Sequence, residues 1–284
     1  MKLLWLALPA LLLATAIPAR AQAAPEESID LDRPDVTNGT HIVSTGLVQF
    51  ELGGLYTHDG PRQGNASSPI TMRVGVFDWL EARVGGDGLL MQTTADTRTT
   101  GFGNVQLGAK LRLWADPGGI PVLSILPTVN LPTASAEKGL GSGDADYTVA
   151  MLTGTDIGAR GHIDFNYGIG KIGAGQGRPR FTQHLLSTSG SITATAHLSP
   201  YAEVFWFSRT DVDGTPEVSF DTGAIYAFGP RLALDGGVQI GLNGQATDFG
   251  IFGGISFVLG QGGDDGVHAR QRKVKTPKAI KPGR

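Results

Sequence analysis

Histidine, serine and aspartate side chains are the candidates for catalysis in this sequence, which contains no cysteine. His162 and Asp164 are two residues apart, so in an extended strand they share a face and could exchange a proton. No candidate nucleophile stands beside them, whereas His184 and Ser187, three residues apart, fall on opposite faces of a strand. The sequence therefore predicts no catalytic residues, and we expect a protein that is not an enzyme.

Two short motifs resemble ligand-binding loops but lack the context that such loops need. Residues 168–173 match the G-x-G-x-x-G spacing, yet the match ends a strand pattern and no helix pattern follows it. Asp211 and Asp213 begin like a calcium loop whose remaining oxygen ligands are missing. The six histidines do not occur at metal-ligand spacing. We therefore expect neither a metal ion nor a cofactor.

Strict alternation of polar and aliphatic residues is the dominant pattern along the chain. Residues 104–113 read NVQLGAKLRL, which puts the polar side chains on one face of a strand and the aliphatic ones on the other. The pattern recurs over residues 46–259 and predicts twelve strands, joined by short turns that alternate with longer polar loops. An even strand number with both ends on the short-turn side is typical of an all-β, antiparallel up-and-down transmembrane barrel.

Some strand boundaries depend on local signals. Residues 59–68 and 93–100 are rich in polar and turn-forming residues, and we expect them to be loops. Residues 181–198 are interpreted as one long strand closed by Ser199-Pro200. A split of this strand at Ser189-Gly190 would give thirteen strands and break the even number.

The two ends of the chain differ from the barrel region. Residues 1–21 combine one lysine, an apolar run and small residues at a cleavage point, which predicts a secretory signal peptide removed after Ala21 or Ala23. Residues 22–45 are interpreted as a leader or a periplasmic plug, and residues 46–259 as the barrel. Residues 260–284 carry seven lysines and arginines and predict a disordered basic tail. Contact of this tail with cell-envelope polymers stays open, whereas nucleic acid is not expected for an exported chain.

The polar faces predict the lining of the lumen, because the aliphatic faces must look outward to lipid. Mixed charges on neighbouring strands predict ion-pair networks that fill a barrel of this size and set its selectivity. The predicted lumen-lining residues are Gln49, Glu51, Arg73, Glu81, Arg83, Asn104, Lys110, Arg112, Asp164, Glu217, Asp221, Asp235 and Gln239. Asp32, Arg33 and Asp35 form the candidate plug, with a flexible leader as the alternative. A candidate constriction loop, with an outward surface loop as the alternative, contains Leu131, Pro132, Thr133, Gly139, Gly141 and Gly143.

Three stretches together carry a family resemblance: residues 31–39 (LDRPDVTNG), 101–113 (GFGNVQLGAKLRL) and 131–147 (LPTASAEKGLGSGDADY). They resemble the bacterial outer-membrane family described as the MetA pathway of phenol degradation. The resemblance implies a barrel that acts as a passive transporter linked to the breakdown of aromatic compounds. Two features depart from the family pattern. Barrels of this kind usually end on an aromatic residue, whereas here a basic tail follows Phe257, and Asn104 stands where the family often has Asp.

Together these observations predict a passive outer-membrane channel for a small-molecule solute, of small hydrophobic or aromatic character, surrounded by outer-membrane lipid. Three other interpretations stay open: a sealed structural or surface barrel, an outer-membrane enzyme, and a soluble exported β-protein whose alternating strands face a second sheet. The sequence is compatible with both a monomer and a homotrimer.

Overall fold

The structure is a computed structural model that describes residues 29–33, 36–60, 63–95, 97–114 and 121–260. The predicted signal peptide, residue Asp35 of the candidate plug and the predicted basic tail beyond residue 260 lie outside the described residues. No helix among the described residues is long and apolar enough to cross a bilayer.

Within the described ranges, fifteen strand segments form a single antiparallel sheet. In chain order they are β1 (Leu47–His58), β2 (Gln63–Ser67), β3 (Ile70–Phe77), β4 (Leu80–Gly86), β5 (Leu89–Thr94), β6 (Thr97–Phe102), β7 (Val105–Trp114), β8 (Val122–Leu131), β9 (Asp146–Ile157), β10 (Gly161–Ile172), β11 (Phe181–Ile192), β12 (Leu198–Phe207), β13 (Glu217–Gly229), β14 (Leu232–Gly241) and β15 (Phe249–Gly260).

The sheet closes into a barrel because its first and last strands pair along their full lengths. The β1–β15 pairing runs from Leu47 opposite Gly260 to His58 opposite Phe249. Around the barrel the order is β1, β3, β4 and then β7 to β15, which makes a ring of twelve strands. This confirms the predicted twelve-stranded antiparallel barrel. Closure leaves no strand edge in the ring without a hydrogen-bonding partner, as a membrane environment requires.

The prediction of loops at residues 59–68 and 93–100 was wrong, because both regions contain strands. β2 pairs with the outer half of β1 and with β5, and β5 pairs with β6. These three segments extend the sheet beyond the ring. Much of the extension, such as QGNAS in β2 and TRTTG in β6, has polar residues on both faces. It therefore lacks the alternation from which strands are recognised in a sequence.

Each segment of the extension continues a barrel strand beyond a kink. The kinks lie at Ser68-Pro69, Asp87-Gly88 and Gly103-Asn104. Gly88 has a φ of 58°, and a Cβ at this position would overlap the carbonyl oxygen of Ser68. Only glycine readily adopts this backbone angle while the Ser68 carbonyl oxygen lies so close to its Cα. Gly88 therefore allows the bend between β4 and β5 next to the bend between β2 and β3.

The boundary between β11 and β12 also differs from the prediction. β11 ends at Ile192 and β12 begins at Leu198, so Ser199 and Pro200 lie within β12 and do not form the turn. The connecting turn is closed by the Thr195 hydroxyl, which accepts a hydrogen bond of 3.0 Å from the Leu198 amide. The sequence contains no glycine or proline at this turn to mark it. Ser189 and Gly190 belong to β11, so the even strand number is preserved.

The exterior of the ring is apolar and its buried interior is polar. On β7, Leu107 and Leu113 are exposed on the outer face, whereas the side chain of Lys110 is fully buried. Five aromatic residues at or near strand ends, where interfacial girdles belong, are all exposed: Tyr56, Trp79, Trp114, Tyr226 and Phe228. Exposed hydrocarbon around buried charge is the reverse of a soluble protein and fits a barrel surrounded by lipid. The chain is thus an outer-membrane barrel and not a soluble exported β-protein.

The connections alternate between short and long, as predicted. Short turns lie at one end of the barrel together with Gly46 and Gly260, at residues 78–79, 158–160, 193–197 and 230–231. Longer connections lie at the other end, at residues 132–145, 173–180, 208–216 and 242–248. In bacterial barrels the short turns face the periplasm, which assigns the long loops to the cell surface.

Candidate functional site: the lumen and its N-terminal segment

The residues that precede β1 lie inside the barrel. We call residues 29–33 and 36–46 the leader segment. Its side chains Ile42 and Val43 are each only 3% exposed. Hydrogen bonds join the leader segment to β1, β4, β8, β12 and β15, strands that lie on different sides of the ring. A segment that contacts opposite walls of a closed barrel lies in its lumen.

One wall of the lumen carries a buried network of charges on β1, β3, β4 and β7, which we call the basic wall cluster. Its members are Glu51, Arg73, Glu81, Arg83 and Lys110. The Arg73 guanidinium donates two hydrogen bonds to Glu81, of 2.8 and 3.0 Å, and one of 2.9 Å to Glu51. Arg83 Nε donates to the same Glu81 carboxylate at 2.7 Å. Two arginines thus share the two carboxylates of this wall, and Lys110 is its third cation.

Asp32 of the leader segment supplies a third carboxylate to the basic wall cluster. Lys110 Nζ donates to Asp32 Oδ1 and Oδ2 at 3.0 and 2.7 Å. Arg83 donates to Oδ2, and the nearest guanidinium nitrogen of Arg73 lies 3.5 Å from the same oxygen. The side chains of Arg73 and Lys110 are fully buried and that of Asp32 is 8% exposed. The Asp32 carboxylate therefore brings the formal charge of the buried cluster to zero.

Other groups of the leader segment, most of them in its main chain, add to this contact. Lys110 Nζ also donates to the carbonyl oxygens of Gly39 and His41, at 2.6 and 3.2 Å. Arg83 donates to Asn38 Oδ1 at 3.0 Å. The Gly39 amide in turn donates to Asp32 Oδ1 at 3.1 Å, so the leader segment folds back on itself around the lysine. A buried ammonium that satisfies its donors in this way avoids most of the penalty for its burial.

Carboxylates on the opposite wall bind the other side of the leader segment. Glu203 accepts hydrogen bonds from the amides of Val36 and Thr37, at 2.9 and 2.7 Å. Asp235 pairs with Arg33, whose Nη2 lies 3.4 Å from Asp235 Oδ1. These contacts use charged acceptors in a buried setting, where such hydrogen bonds are stronger than neutral ones.

Charge is therefore distributed unequally around the lumen. β12, which carries Glu203, is six strands away from β4, which carries Arg83, in a ring of twelve. Asp221 lies directly opposite Glu203 in the β12–β13 pairing, and Asp235 follows on β14. The cations of the basic wall cluster lie on β3, β4 and β7. The carboxylates on β12 to β14 lie across the lumen and have no cationic neighbour in the wall itself. The leader segment bridges the two walls, with Asp32 on one side and Arg33 on the other.

Two glycines make room for the leader segment. A Cβ at Gly53 would overlap the guanidinium of Arg33. A Cβ at Gly75 would overlap the carbonyl oxygens of Val43 and Ser44. A larger side chain would displace the Arg33 guanidinium at Gly53 and the main chain of the leader segment at Gly75, so both glycines are part of the surface that binds the segment.

The structure places the predicted lumen residues in several environments. Those buried on the inner face are Gln49, Glu51, Arg73, Glu81, Lys110, Asp221 and Asp235, and those partly buried are Arg83, Asn104, Arg112, Asp164, Glu217 and Gln239. Asp164 lies near His162, with 3.2 Å between Oδ2 and Nε2. Among the described residues no group of three or more His, Asp or Glu side chains could hold a metal ion.

Asn104 and the candidate constriction loop meet at the outer rim. Asn104 Oδ1 accepts a hydrogen bond of 3.0 Å from the Ala134 amide, and Thr133 Oγ1 accepts one of 2.8 Å from the Val105 amide. Leu140 is buried against Gly101 of β6. Leu131 and Pro132 lead from β8 into the loop, and Gly139 and Gly143 have φ of 72° and 80°. A Cβ at Gly141 would lie 2.9 Å from that of Ala134.

Several residues of the lumen were not predicted from the sequence. Glu203 is the one charged residue of the β12 sequence and alternates with outward Ala202 and Val204, so the period-two pattern could have identified it. Ser124, which donates a hydrogen bond of 3.1 Å to the Thr40 carbonyl, shares alternate positions of β8 with Thr128 and Asn130, so the same pattern could have identified it. The role of Gly75 depends on the path of a distant segment and has no local signal.

The fold and the lumen define a class: an outer-membrane β-barrel of twelve strands whose interior holds its own N-terminal segment. The chain belongs to the family described as "Putative MetA-pathway of phenol degradation", whose model matches residues 31–259. This confirms the resemblance inferred from the sequence.

Solved structures show the same architecture. An outer membrane channel from Pseudomonas putida F1 has 15% sequence identity and a TM-score of 0.62, with 79% of this chain and 100% of that chain covered. The NanC porin has 10% identity and a TM-score of 0.54, with 74% of this chain and 100% of that chain covered. At these identities the likeness concerns the fold. No curated protein matches the sequence.

Proposed function

We propose that this protein is a passive outer-membrane channel that the leader segment closes at rest. The observation that carries the proposal is how the leader segment is held. It contacts the lumen through ion pairs and through hydrogen bonds to side chains such as Glu203 and Glu81. The twelve-stranded ring closes through β1 and β15 without it. The leader segment can therefore leave the lumen while the ring keeps the hydrogen bonds between its strands; at the junction with β1, the Gly46 amide donates to the Gly75 carbonyl oxygen at 3.0 Å.

The solute that we propose is a small hydrophobic or aromatic molecule. The family description refers to phenol degradation, and the similar barrel from Pseudomonas putida F1 is itself described as a channel. Apolar side chains such as Leu126, Leu152 and Phe205 are buried on the inner faces of their strands and give the lumen apolar surface beside its charges. A polar lumen with apolar patches suits molecules that combine a ring with a polar group.

At the rim, we propose that the loop at residues 131–143 shapes the entrance to the channel. This loop is bound to neighbouring segments on both sides. On one side Asn104 accepts a hydrogen bond from the Ala134 amide, and on the other the Gly175 amide donates to Asp144 at 3.0 Å. An anchored rim of this kind limits the size of an entering solute without crossing the lumen.

Transport without catalysis is part of the same proposal. Two proteins of similar fold are a channel and a porin, which supports passage of small molecules. A sealed structural barrel is the main competing function, because ion pairs between the leader segment and both walls could also serve only to fill the lumen.

Planar-bilayer recording tests the proposal on three proteins: the full chain, a variant that lacks residues 22–45, and a control that lacks residues 261–284. We expect discrete current steps from the full chain and larger or more frequent steps from the leaderless variant, with the control unchanged. Heat-modifiable migration on a gel verifies that each protein is folded. Folded barrels that conduct in neither the full-length nor the leaderless form would instead establish a sealed barrel.

A further inference from the structure

The pocket around Asp32 has the features of a binding site for an anion. Arg73, Arg83 and Lys110 place three positive charges in the wall, whereas Glu51 and Glu81 supply two negative ones. Without Asp32 this buried cluster would have one positive charge in excess. Buried charge of this kind is costly unless an anion compensates it. When the leader segment leaves, the wall keeps this excess positive charge, which favours an anion in the place of the Asp32 carboxylate.

The geometry favours a carboxylate over other anions. Lys110 contacts both oxygens of Asp32, while Arg83 donates to Oδ2 and Arg73 approaches that same atom. Donors from three side chains thus converge on two oxygens that share one carbon. A spherical halide offers no second acceptor atom for this arrangement. A phosphate dianion would exceed the single positive charge that the pocket leaves uncompensated.

The surroundings of Asp32 accept an apolar group beside the carboxylate. Leu31, its neighbour in the chain, is 8% exposed, and Ile42 and Val43 of the leader segment are buried in the same lumen. The volume that these side chains occupy becomes free when the leader segment leaves. A ligand that replaces the segment can therefore place a ring or an alkyl group where its apolar side chains lie.

We infer that Lys110, Arg83 and Arg73 form a binding site for the carboxylate of a small apolar monocarboxylic acid, and that Asp32 occupies this site as an intramolecular mimic of the solute. The inference rests on the proposed channel function and names the solute class of that channel. Solute and leader segment compete for one site, so arrival of the anion promotes release of the plug. Asp32 is tethered to the barrel and competes at an effective concentration of about millimolar order, so a solute at a similar concentration can displace it. The affinity for the solute can therefore be weak, as passage through a channel requires.

The first test compares benzoate with benzamide, its neutral analogue of the same shape, on the full chain carrying Asp32→Asn. We expect benzoate at about 1–20 mM to interrupt the current of this variant, with benzamide without effect. In the unaltered chain benzoate must first displace Asp32, so it should raise the frequency of openings, and interruption of the current should need about 10-fold more benzoate than in Asp32→Asn. Asp213→Asn is the matched control, since Asp213 is an exposed residue of the connection between β12 and β13 and lies outside the leader segment and the basic wall cluster. This control should behave like the unaltered chain.

A second variant tests whether benzoate binds at Lys110 in the pocket around Asp32. Adding Lys110→Gln to Asp32→Asn should raise the benzoate concentration for half-maximal effect by about 10-fold. If benzamide acts as well as benzoate, or if Lys110→Gln leaves the benzoate effect unchanged, the carboxylate site is refuted. The leaderless variant lacking residues 22–45 serves as a replacement if Asp32→Asn does not fold.

Calorimetric titration of benzoate into the detergent-solubilised Asp32→Asn variant separates this inference from the channel proposal. Heat that depends on Lys110, from a barrel that carries no current, would support the site and contradict the channel. Current without benzoate-specific heat or block would support the channel and contradict the site.

Discussion

Substitution of Gly75 by alanine tests whether the leader segment is held against the wall of the lumen. A Cβ at this position overlaps the carbonyl oxygens of Val43 and Ser44, which belong to the leader segment. Restoring ordinary contact distances requires these atoms to move by roughly 1 Å or more. Such a movement breaks the 2.9 Å hydrogen bond from the Val43 amide to the Glu81 carboxylate, because little tolerance remains at this distance.

The size of the effect follows from the bond that is lost. A hydrogen bond to a charged group contributes about 1.5–3 kcal/mol, which corresponds to a change of roughly 10- to 100-fold in the equilibrium between docked and released leader segment. We expect peptides covering residues 36–46 to exchange their amide hydrogens faster by that factor in Gly75→Ala, measured by hydrogen–deuterium exchange mass spectrometry. Exchange in the β1–β15 pairing should remain slow, because the ring does not depend on the leader segment.

The matched control is Gly54→Ala. Gly54 is an exposed glycine of β1, and a Cβ there has no neighbouring atom within 4 Å. The same chemical change should therefore leave exchange in the leader segment unaltered. Equal exchange of residues 36–46 in Gly75→Ala, Gly54→Ala and the unaltered chain would refute the docking of the leader segment at β3. Faster exchange in both variants would indicate general destabilisation instead.

Two further predictions concern stability and the rim. Arg73→Met removes the cation between two buried carboxylates of the wall and should lower the free energy of unfolding by about 3–5 kcal/mol. The variant should therefore lose its folded gel mobility at a lower temperature. Arg98→Gln, on the exposed extension, is the control and should leave that temperature unchanged. If both variants unfold at the same temperature, the buried network does not stabilise the barrel. Asn104→Ala removes the acceptor of the Ala134 amide, worth about 1 kcal/mol, so trypsin should cleave after exposed Lys138 about 5-fold faster. An unchanged cleavage rate would contradict the role of Asn104 as the anchor of this loop.

Recognition of the barrel from the sequence succeeded where the signal is local. Along β7 a period of two separates aliphatic from polar side chains, and this follows from strand geometry whatever the rest of the chain does. The same rule identified Arg73, Glu81 and Lys110 as residues of the inner face, and all three are fully buried. It failed at β2 and β6, because strands that are polar on both faces carry no such period.

The pairing of charges could not be predicted, because it depends on register and closure. Arg33 meets Asp235, 202 residues away in the chain, only because β1 and β15 close the ring. The contact of Glu203 with the Val36 and Thr37 amides depends on a segment that crosses the lumen between opposite walls. Sequence patterns indicate on which face of a strand a residue lies, but they do not indicate which residue lies opposite it across the barrel.

The sequence by itself determined the all-β class, the strand number and the two faces of the wall, because these depend on residue alternation and turn composition over a few residues. Only the tertiary structure decided that three cations of one wall share a carboxylate from the leader segment, and that Gly75 provides the space for its backbone. The physical reason is that burial of charge is balanced within a closed volume, and that volume exists only once the barrel has closed.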